Sequence, residues 1–208
     1  MNTLSRSLML GLLLTACGAA QATDDVTAAT RDHATRLAIG VCGSCHGPQG
    51  NSTLPKYPRL AGQNEHYLAA QLRSFRGQTR GDPDAVGYMW GMANNLDDAT
   101  IDALAAYYTK QTALSGRAGD AALVARGREI YANGVAASGV PACQSCHGAA
   151  GQGMGEFPRL AGQHAQYVLK QLASFQSNLR NVAVMHGVAA SLQTPQMEAV
   201  AAYLQTLR

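Results

Sequence analysis

CGSCHGPQG, residues 42–50, sets two cysteines three apart with a histidine directly behind, and CQSCHGAAG repeats the pattern at residues 143–151. On a helical turn, residues i and i+3 share one face. Cys42 and Cys45 therefore present two thiols side by side with His46 one step on, and Cys143, Cys146 and His147 do the same. Two thiols so placed match two vinyl groups on one edge of a porphyrin, and the histidine then falls beneath the iron. This is the attachment signature of c-type haem.

Other uses of these residues need other surroundings. A structural zinc site takes about four ligands, its second pair roughly 12–20 residues on. Here the second CxxC begins 101 residues after the first. A thioredoxin-like CxxC expects a βαβ setting, and no strand pattern is visible. Exported chains use cysteines mostly for disulfides, but pairs three apart make a poor disulfide framework.

Outside these motifs the chain also reads twice. Tyr57-Pro58-Arg59-Leu60-Ala61-Gly62-Gln63 returns as Phe157-Pro158-Arg159-Leu160-Ala161-Gly162-Gln163. Tyr67, Gln71, Leu72, Ser74 and Phe75 return 100 residues later, and Met89-Trp90-Gly91 parallels Met185-His186-Gly187. The offset drifts from 101 at the histidines to 96 at the methionines, so the copies differ in their loops. Two units of about 90 residues follow, 23–112 and 113–208, joined by a small, polar linker around Thr112–Asp120.

Each unit has one coarse plan. A helix precedes the cysteines, Val26–Val41 in the first copy and Ala121–Asn133 in the second. A Gly/Pro-rich loop follows, then a helix carrying Tyr67, Leu68, Leu72 and Phe75, or Tyr167, Val168, Leu172 and Phe175. A loop bearing the methionine leads into a last helix. Ile101, Leu104, Ala105 and Tyr108, matched by Met197, Val200, Ala201 and Leu204, face inward at i, i+3, i+4, i+7. Thr194 is the expected N-cap of the second copy's last helix, with Pro195 at its first position. The fold class is all-α. Units this small and glycine-rich bury a modest share of their surface; a large apolar cofactor would make up the shortfall.

The amino terminus reads as a leader. Arg6 precedes the apolar run Leu8–Leu14, and Ala20-Gln21-Ala22 is a small-x-small cleavage site. Residues 1–22 are thus a signal peptide, and the apolar run falls short of the roughly 20 residues that span a bilayer. Leu14-Thr15-Ala16-Cys17 also resembles a lipobox, which would make Cys17 a lipidated terminus instead. Residues 23–208 hold 15 basic and 13 acidic side chains. That balance is too mild for a nucleic-acid binder, and the mature chain is expected to be soluble or peripherally attached.

The sixth iron position decides the function. An open site binds ligands or does catalysis, whereas methionine gives electron transfer at a raised potential. Met89 lies 43 residues after His46, and Met185 lies 38 after His147, at equivalent points of the repeat. Met92 competes with Met89 as a second sulfur, but it pairs with Val188 and reads as core. His33, His66, His164 and His186 have no matched histidine and read as surface or packing residues. The carbonyls of Pro58 and Pro158 are candidates to accept the ring N–H that a ligating histidine leaves over. Arg59 and Arg159 are candidate partners of haem propionates, or simply solvated arginines.

CxxCHG, then PxLAGQ, then Y-x3-QL-x-SF, then M-x-G-x-A-x2-L and an LAAY-type helix, all twice, resemble the dihaem cytochrome c4 family over nearly the whole of residues 23–208. The resemblance implies two tandem class I cytochrome c domains related by a pseudo-twofold, haem edges facing across their interface. It implies two covalent haem c groups on Cys42, Cys45, Cys143 and Cys146, with His46, Met89, His147 and Met185 as axial ligands. It further implies a periplasmic one-electron carrier, not an enzyme, working between redox protein partners such as the bc1 complex and a terminal oxidase or reductase. The alternative is an electron-transfer subunit of a larger dehydrogenase or reductase complex. A dihaem peroxidase would need an accessible sixth position on one iron.

Overall fold

The computed structural model describes residues 26–208. The expected leader and Cys17 lie outside the described residues. Among those described there are helices and two isolated bridges, Val135 with Val140 and Met154 with Phe157, but no strand.

The first unit comprises α1 (Ala28–Leu37), a π-helical turn (Ala38–Cys42), α2 (Gly43–His46), α3 (Glu65–Arg76), a second π-helical turn (Ala85–Met89), α4 (Trp90–Ala93) and α5 (Asp98–Thr109). The second comprises α6 (Ala121–Asn133), a 3-10 turn (Ala136–Ser138), α7 (Gln144–His147), α8 (Ala165–Gln176), α9 (Ala183–Ala190) and α10 (Thr194–Thr206). In the first unit α5 packs on α1 and α3; in the second, α10 packs on α6 and α8.

The apolar spacing of the last helices is the reason. Ile101, Leu104, Ala105 and Tyr108 are all buried on α5, as are Met197, Val200, Ala201 and Leu204 on α10. They meet Ala34, Ala38 and Leu68 in one unit, and Tyr131, Val168 and Leu172 in the other. Helix starts are capped by short polar side chains that satisfy otherwise orphaned amides. Asn64 accepts from Tyr67 N–H, Asp97 from Thr100 N–H and Asp120 from Leu123 N–H. At α10 the cap is Gln193, in a reciprocal box with Gln196. The expected N-cap Thr194 is instead the first helical residue; the cap falls one position earlier, where the Gln193 N–H donates to Gln196 Oε1 at 2.8 Å.

The linker is strapped to the end of α10. Gly116 N–H donates to the Leu207 carbonyl at 3.2 Å and Arg117 N–H to the Gln205 carbonyl at 3.0 Å. A Cβ at Gly116 would lie 1.8 Å from the Gln205 oxygen, so the contact requires glycine.

Candidate functional site

Each CxxCH sits on a short helical turn whose exit is set by glycine. Gly47 and Gly148 follow the histidines at φ 78° and 81°, a region that side chains avoid. Three residues on, Gly50 and Gly151 again have positive φ. The Gly50 carbonyl accepts from Leu60 N–H at 2.7 Å and Ala61 N–H at 3.1 Å; the Gly151 carbonyl accepts from Leu160 and Ala161 at 2.7 and 2.9 Å. These paired bonds fold each loop back over its histidine.

The loop closure puts both proline carbonyls where the sequence expects them. His46 Nδ1–H donates to Pro58 O at 2.8 Å, and His147 Nδ1–H to Pro158 O at 3.1 Å. A carbonyl can only accept, so Nδ1 carries the proton and the lone pair lies on Nε2. Both rings are buried. Burial lowers their pKa values, against the opposing pull of the proline carbonyls, so both stay neutral at pH 7. A neutral imidazole with a fixed tautomer and a free Nε2 is an iron ligand in waiting.

The four cysteines are free and half-buried. Burial raises the Cys42 thiol and pushes Cys143 up to about 11. Reactive redox cysteines have lowered values, the opposite direction from Cys42 and Cys143.

The methionines stand on helices rather than in loops. Met89 closes the π-helical turn and Met185 lies within α9. Met89 is half-buried against Phe75, Ala85 and Ala93, and Met185 packs on the second core. Ala85, Met89 and Ala93 share one face at i, i+4, i+8. Met92 is therefore turned outward, 59% exposed, and is not the core residue its pairing with Val188 suggests. The residue after each methionine anchors the segment: Trp90 Nε1–H donates to Arg80 O and His186 Nδ1–H to Phe175 O, both at 2.8 Å.

The units meet across a pseudo-twofold built from matched residues. Gln63 brackets the Arg159 backbone, accepting its N–H at 2.7 Å and donating to its carbonyl at 2.9 Å. Gln163 brackets Arg59 likewise, at 2.9 and 3.0 Å. The Arg59 guanidinium donates to the carbonyls of Ser52, Ser115 and, at 2.8 Å, Gly162. It ties loop, linker and opposite unit together instead of standing in solvent. His164 is buried and reaches Ser52 O at 2.9 Å, while His186 is half-buried and His33 and His66 are exposed, as packing and surface residues would be.

A second layer was not legible beforehand. Arg80 donates to Gln71 and Gln171, and Arg180 donates to Gln171, Gln71 and the Tyr67 hydroxyl. Each arginine thus shares both glutamines across the interface. The signal lay in the matched Gln71/Gln171 and Arg80/Arg180, which the repeat carries in both copies. Two buried guanidine nitrogens here, Arg159 Nε and Arg180 Nε, have no partner. Buried donors of that kind suit an anionic group, as haem propionates are. Together, two thiols per turn, one tautomer-fixed imidazole and one thioether fit a covalently held haem in each unit, and the spare guanidine donors of Arg159 and Arg180 belong to the second.

Fold and site together define a duplicated c-type cytochrome domain. The Cytochrome c family model matches residues 34–110 and 124–208. Cytochrome c4 of Azotobacter vinelandii is 42% identical over 178 residues, covering 80% of this chain and 84% of that protein. Cytochrome c4 of Stutzerimonas stutzeri is 39% identical with both chains fully covered. The crystal structure of reduced recombinant cytochrome c4 from Pseudomonas stutzeri superposes with a TM-score of 0.77 at 38% identity, covering 85% of this chain and 98% of that one. A thiosulfate dehydrogenase electron acceptor of Thiomonas intermedia is 39% identical over 171 residues, covering 78% of this chain and 76% of that protein. The chain belongs to the cytochrome c family and, within it, to the dihaem cytochrome c4 group. It is an electron-transfer protein rather than an enzyme, it carries two covalent haem c groups, and its partners are redox proteins.

Proposed function

We propose that Cys42, Cys45, Cys143 and Cys146 form the thioethers, that His46 and His147 are the proximal ligands, and that Met89 and Met185 are the distal ones. The duplicated histidine–proline bond carries this reading, because it frees the same ring nitrogen in both units. Bound there, haem supplies an iron that cycles between ferrous and ferric states. The chain's part is to fill both axial positions, shut out substrate and hold the two units, 23–112 and 113–208, in one fixed arrangement. One electron enters at one unit, crosses the interface and leaves from the other. The packing of Met89 on Phe75 favours it over the exposed Met92. Methionine on ferric haem gives a weak far-red absorption band. Met89→Leu should remove half of it and Met92→Leu none; the reverse result would move the ligand to Met92.

Periplasmic working, between a respiratory donor such as the bc1 complex and a terminal oxidase or reductase, is supported by the leader-like residues 1–22 and the family. Lipidation at Cys17 would add a membrane attachment. Among the described residues no helix is long and apolar enough to cross a membrane. The similarity to a thiosulfate dehydrogenase electron acceptor favours a second reading, service as the electron-accepting subunit of a dehydrogenase. Purification from native membranes and soluble extract separates them: a stoichiometric dehydrogenase partner supports the second reading, a free dihaem protein the first.

Residues 23–112 carry a net charge of −1 and residues 113–208 a net charge of +3. Opposite ends of such a molecule steer toward partners of opposite sign, and salt weakens the steering. Docking rates independent of ionic strength would count against this.

A further inference from the structure

The two methionine segments are held differently. Met89 lies nine residues after Arg80, and Met185 five after Arg180. The longer segment is tied along its whole length. Gly81 N–H donates to the Leu179 carbonyl of the other unit at 3.0 Å, and Asp84 pairs with Lys170 on α8. Behind Met89, Trp90 is fixed to the Arg80 carbonyl. Just ahead of it, Lys56 Nζ donates to the Tyr88 hydroxyl at 2.7 Å and lies 4.3 Å from the centroid of that ring. Lys56 belongs to the loop that carries Pro58, the partner of His46. The contact straps the segment bearing Met89 to the loop that orients the histidine.

Of these ties, only the anchor behind the methionine has a mirror image, His186 on the Phe175 carbonyl. Lys56 aligns with Glu156, Tyr88 with Val184 and Lys170 with Ala70. An acid facing a valine makes no such strap. Glu156, Val182 and Val184 are exposed, and α9 starts at Ala183 without a side-chain cap. Among the described residues, none of 181–185 hydrogen-bonds to the first unit. The far end of α9 is held, by Gln176 on the Ala189 and Leu192 carbonyls. Met185 therefore stands in the first turn of a helix whose start is untied and whose end is pinned. Helix ends fray, and segments with few ties open at the least free-energy cost.

We propose that the sixth iron position of the second unit yields to a small external ligand. Met185 swings out with the first turn of α9, while Lys56–Tyr88 and Asp84–Lys170 keep Met89 seated. The ligand class is a small neutral nitrogen donor, since a vacated sixth position is one that binds ligands. One iron–sulfur bond breaks and one iron–nitrogen bond forms; no electron or proton changes hands. Lys56, Tyr88, Asp84 and Lys170 are positioning residues, and none touches the iron. Ligand binding and electron passage then meet in the second unit alone. The inference rests on the assignment of Met89 and Met185 as axial ligands.

The test is imidazole added to the ferric dihaem protein, with the far-red band followed in time. The band should fade in two phases of similar size, the faster from the second unit. Glu156→Lys combined with Val184→Tyr builds the strap into the second unit at two exposed positions. It should slow the faster phase roughly two- to fivefold, the factor an exposed cation–π contact supplies, and leave the slower one unchanged. Lys56→Gln should speed the slower phase by a similar factor and leave the faster one unchanged; it decides the matter if the double variant alters the starting band. A full band that fades in one phase, or phases that neither variant moves, would overturn the inference alone. So would a Lys56→Gln protein in which only the faster phase speeds up. A band missing from the unmutated protein would overturn the ligand assignment and the inference with it.

Discussion

The first unit runs α1 straight through a π-helical turn into CxxCH, whereas the second stops α6 at Gly134 and detours through Val135–Ala142 before reaching α7. Gly134 has φ 71°, and a Cβ there would lie 2.2 Å from the Val140 carbonyl. Yet both routes deliver the histidine to the same bond with the same proline. A similar exchange occurs at the other end. Arg76 ties α3 to the Leu96 carbonyl in the first unit, and Gln176 ties α8 to Leu192 in the second. What the copies share is the loop glycines, the proline carbonyl and the bracketing glutamine. What they vary is the route and the perimeter. The shared parts are those that hold the CxxCH histidine or meet at the twofold.

The sharpest break in this comparison is to remove attachment in one unit. Cys42→Ala combined with Cys45→Ala should halve the haem per chain, as read by mass and by absorbance, while the second unit keeps its own haem. Loss of both groups would show that the units load together through their interface. The converse pair, Cys143→Ala with Cys146→Ala, should give the mirror result.

Next in size is a packing change confined to one unit. Gly127 on α6 lies against α10, and a Cβ there would come 1.9 Å from the Ala199 carbonyl and 2.8 Å from Tyr203 Cβ. The intruded atom is backbone, which cannot swing aside. Gly127→Ala should cost about 1–3 kcal/mol, the usual range for overpacking, seen in a denaturant melt followed at the second unit's haem. The first unit's α1–α5 contact, which already uses Ala34, should be unmoved.

These cases also show what the sequence discloses. CxxCH, the longer helices and the histidine–proline bond were legible because each depends on short spacings that the repeat shows twice, whereas the helical segments bearing Met89 and Met185 read as loops. The interface was not. Gln63 meets Arg159 and Arg80 meets Gln171 across 96 and 91 residues, and long polar side chains read as solvated until the partner surface is known. Arg59 reads in the sequence as a propionate partner or a solvated side chain, and its bonds to carbonyls of loop, linker and opposite unit were not legible there. Met92 misled because pairing by repeat reports position along the chain. Which face of a single helical turn points inward is set by neighbours, here Ala85 and Ala93.

A smaller effect tests the two unlike residues at the start of α3 and α8. Asn64 caps its helix, whereas His164 makes no cap and gives its Nε2–H to Ser52. Burial lowers the His164 pKa below 6.5, with Arg59 and Arg117 pushing the same way and Ser52 opposing. An unfolded chain then takes up the proton first as pH falls through 6.5. Stability is accordingly full above that value and declines below it, until the folded form protonates too. His164→Asn should flatten this part of the curve and restore a cap. An unchanged slope below pH 6.5 would place the pH dependence elsewhere.

The least effect is expected where the first unit looks most strongly braced. Arg73 pairs with Asp98 at 3.1 Å and Asp102 at 2.7 Å, joining α3 to α5, and the second unit has Ala173 at the matching position. The side chains are 40–66% exposed, where water screens the attraction and ordering two side chains offsets much of it. Surface pairs of this kind contribute about 0–1 kcal/mol. Arg73→Ala should therefore lower stability by roughly 1 kcal/mol or less, with the difference shrinking further in high salt. A loss as large as that of Gly127→Ala would mean the network braces the α3–α5 contact in a way that α8 and α10 achieve by apolar packing alone, and the two units would then be held together by different forces.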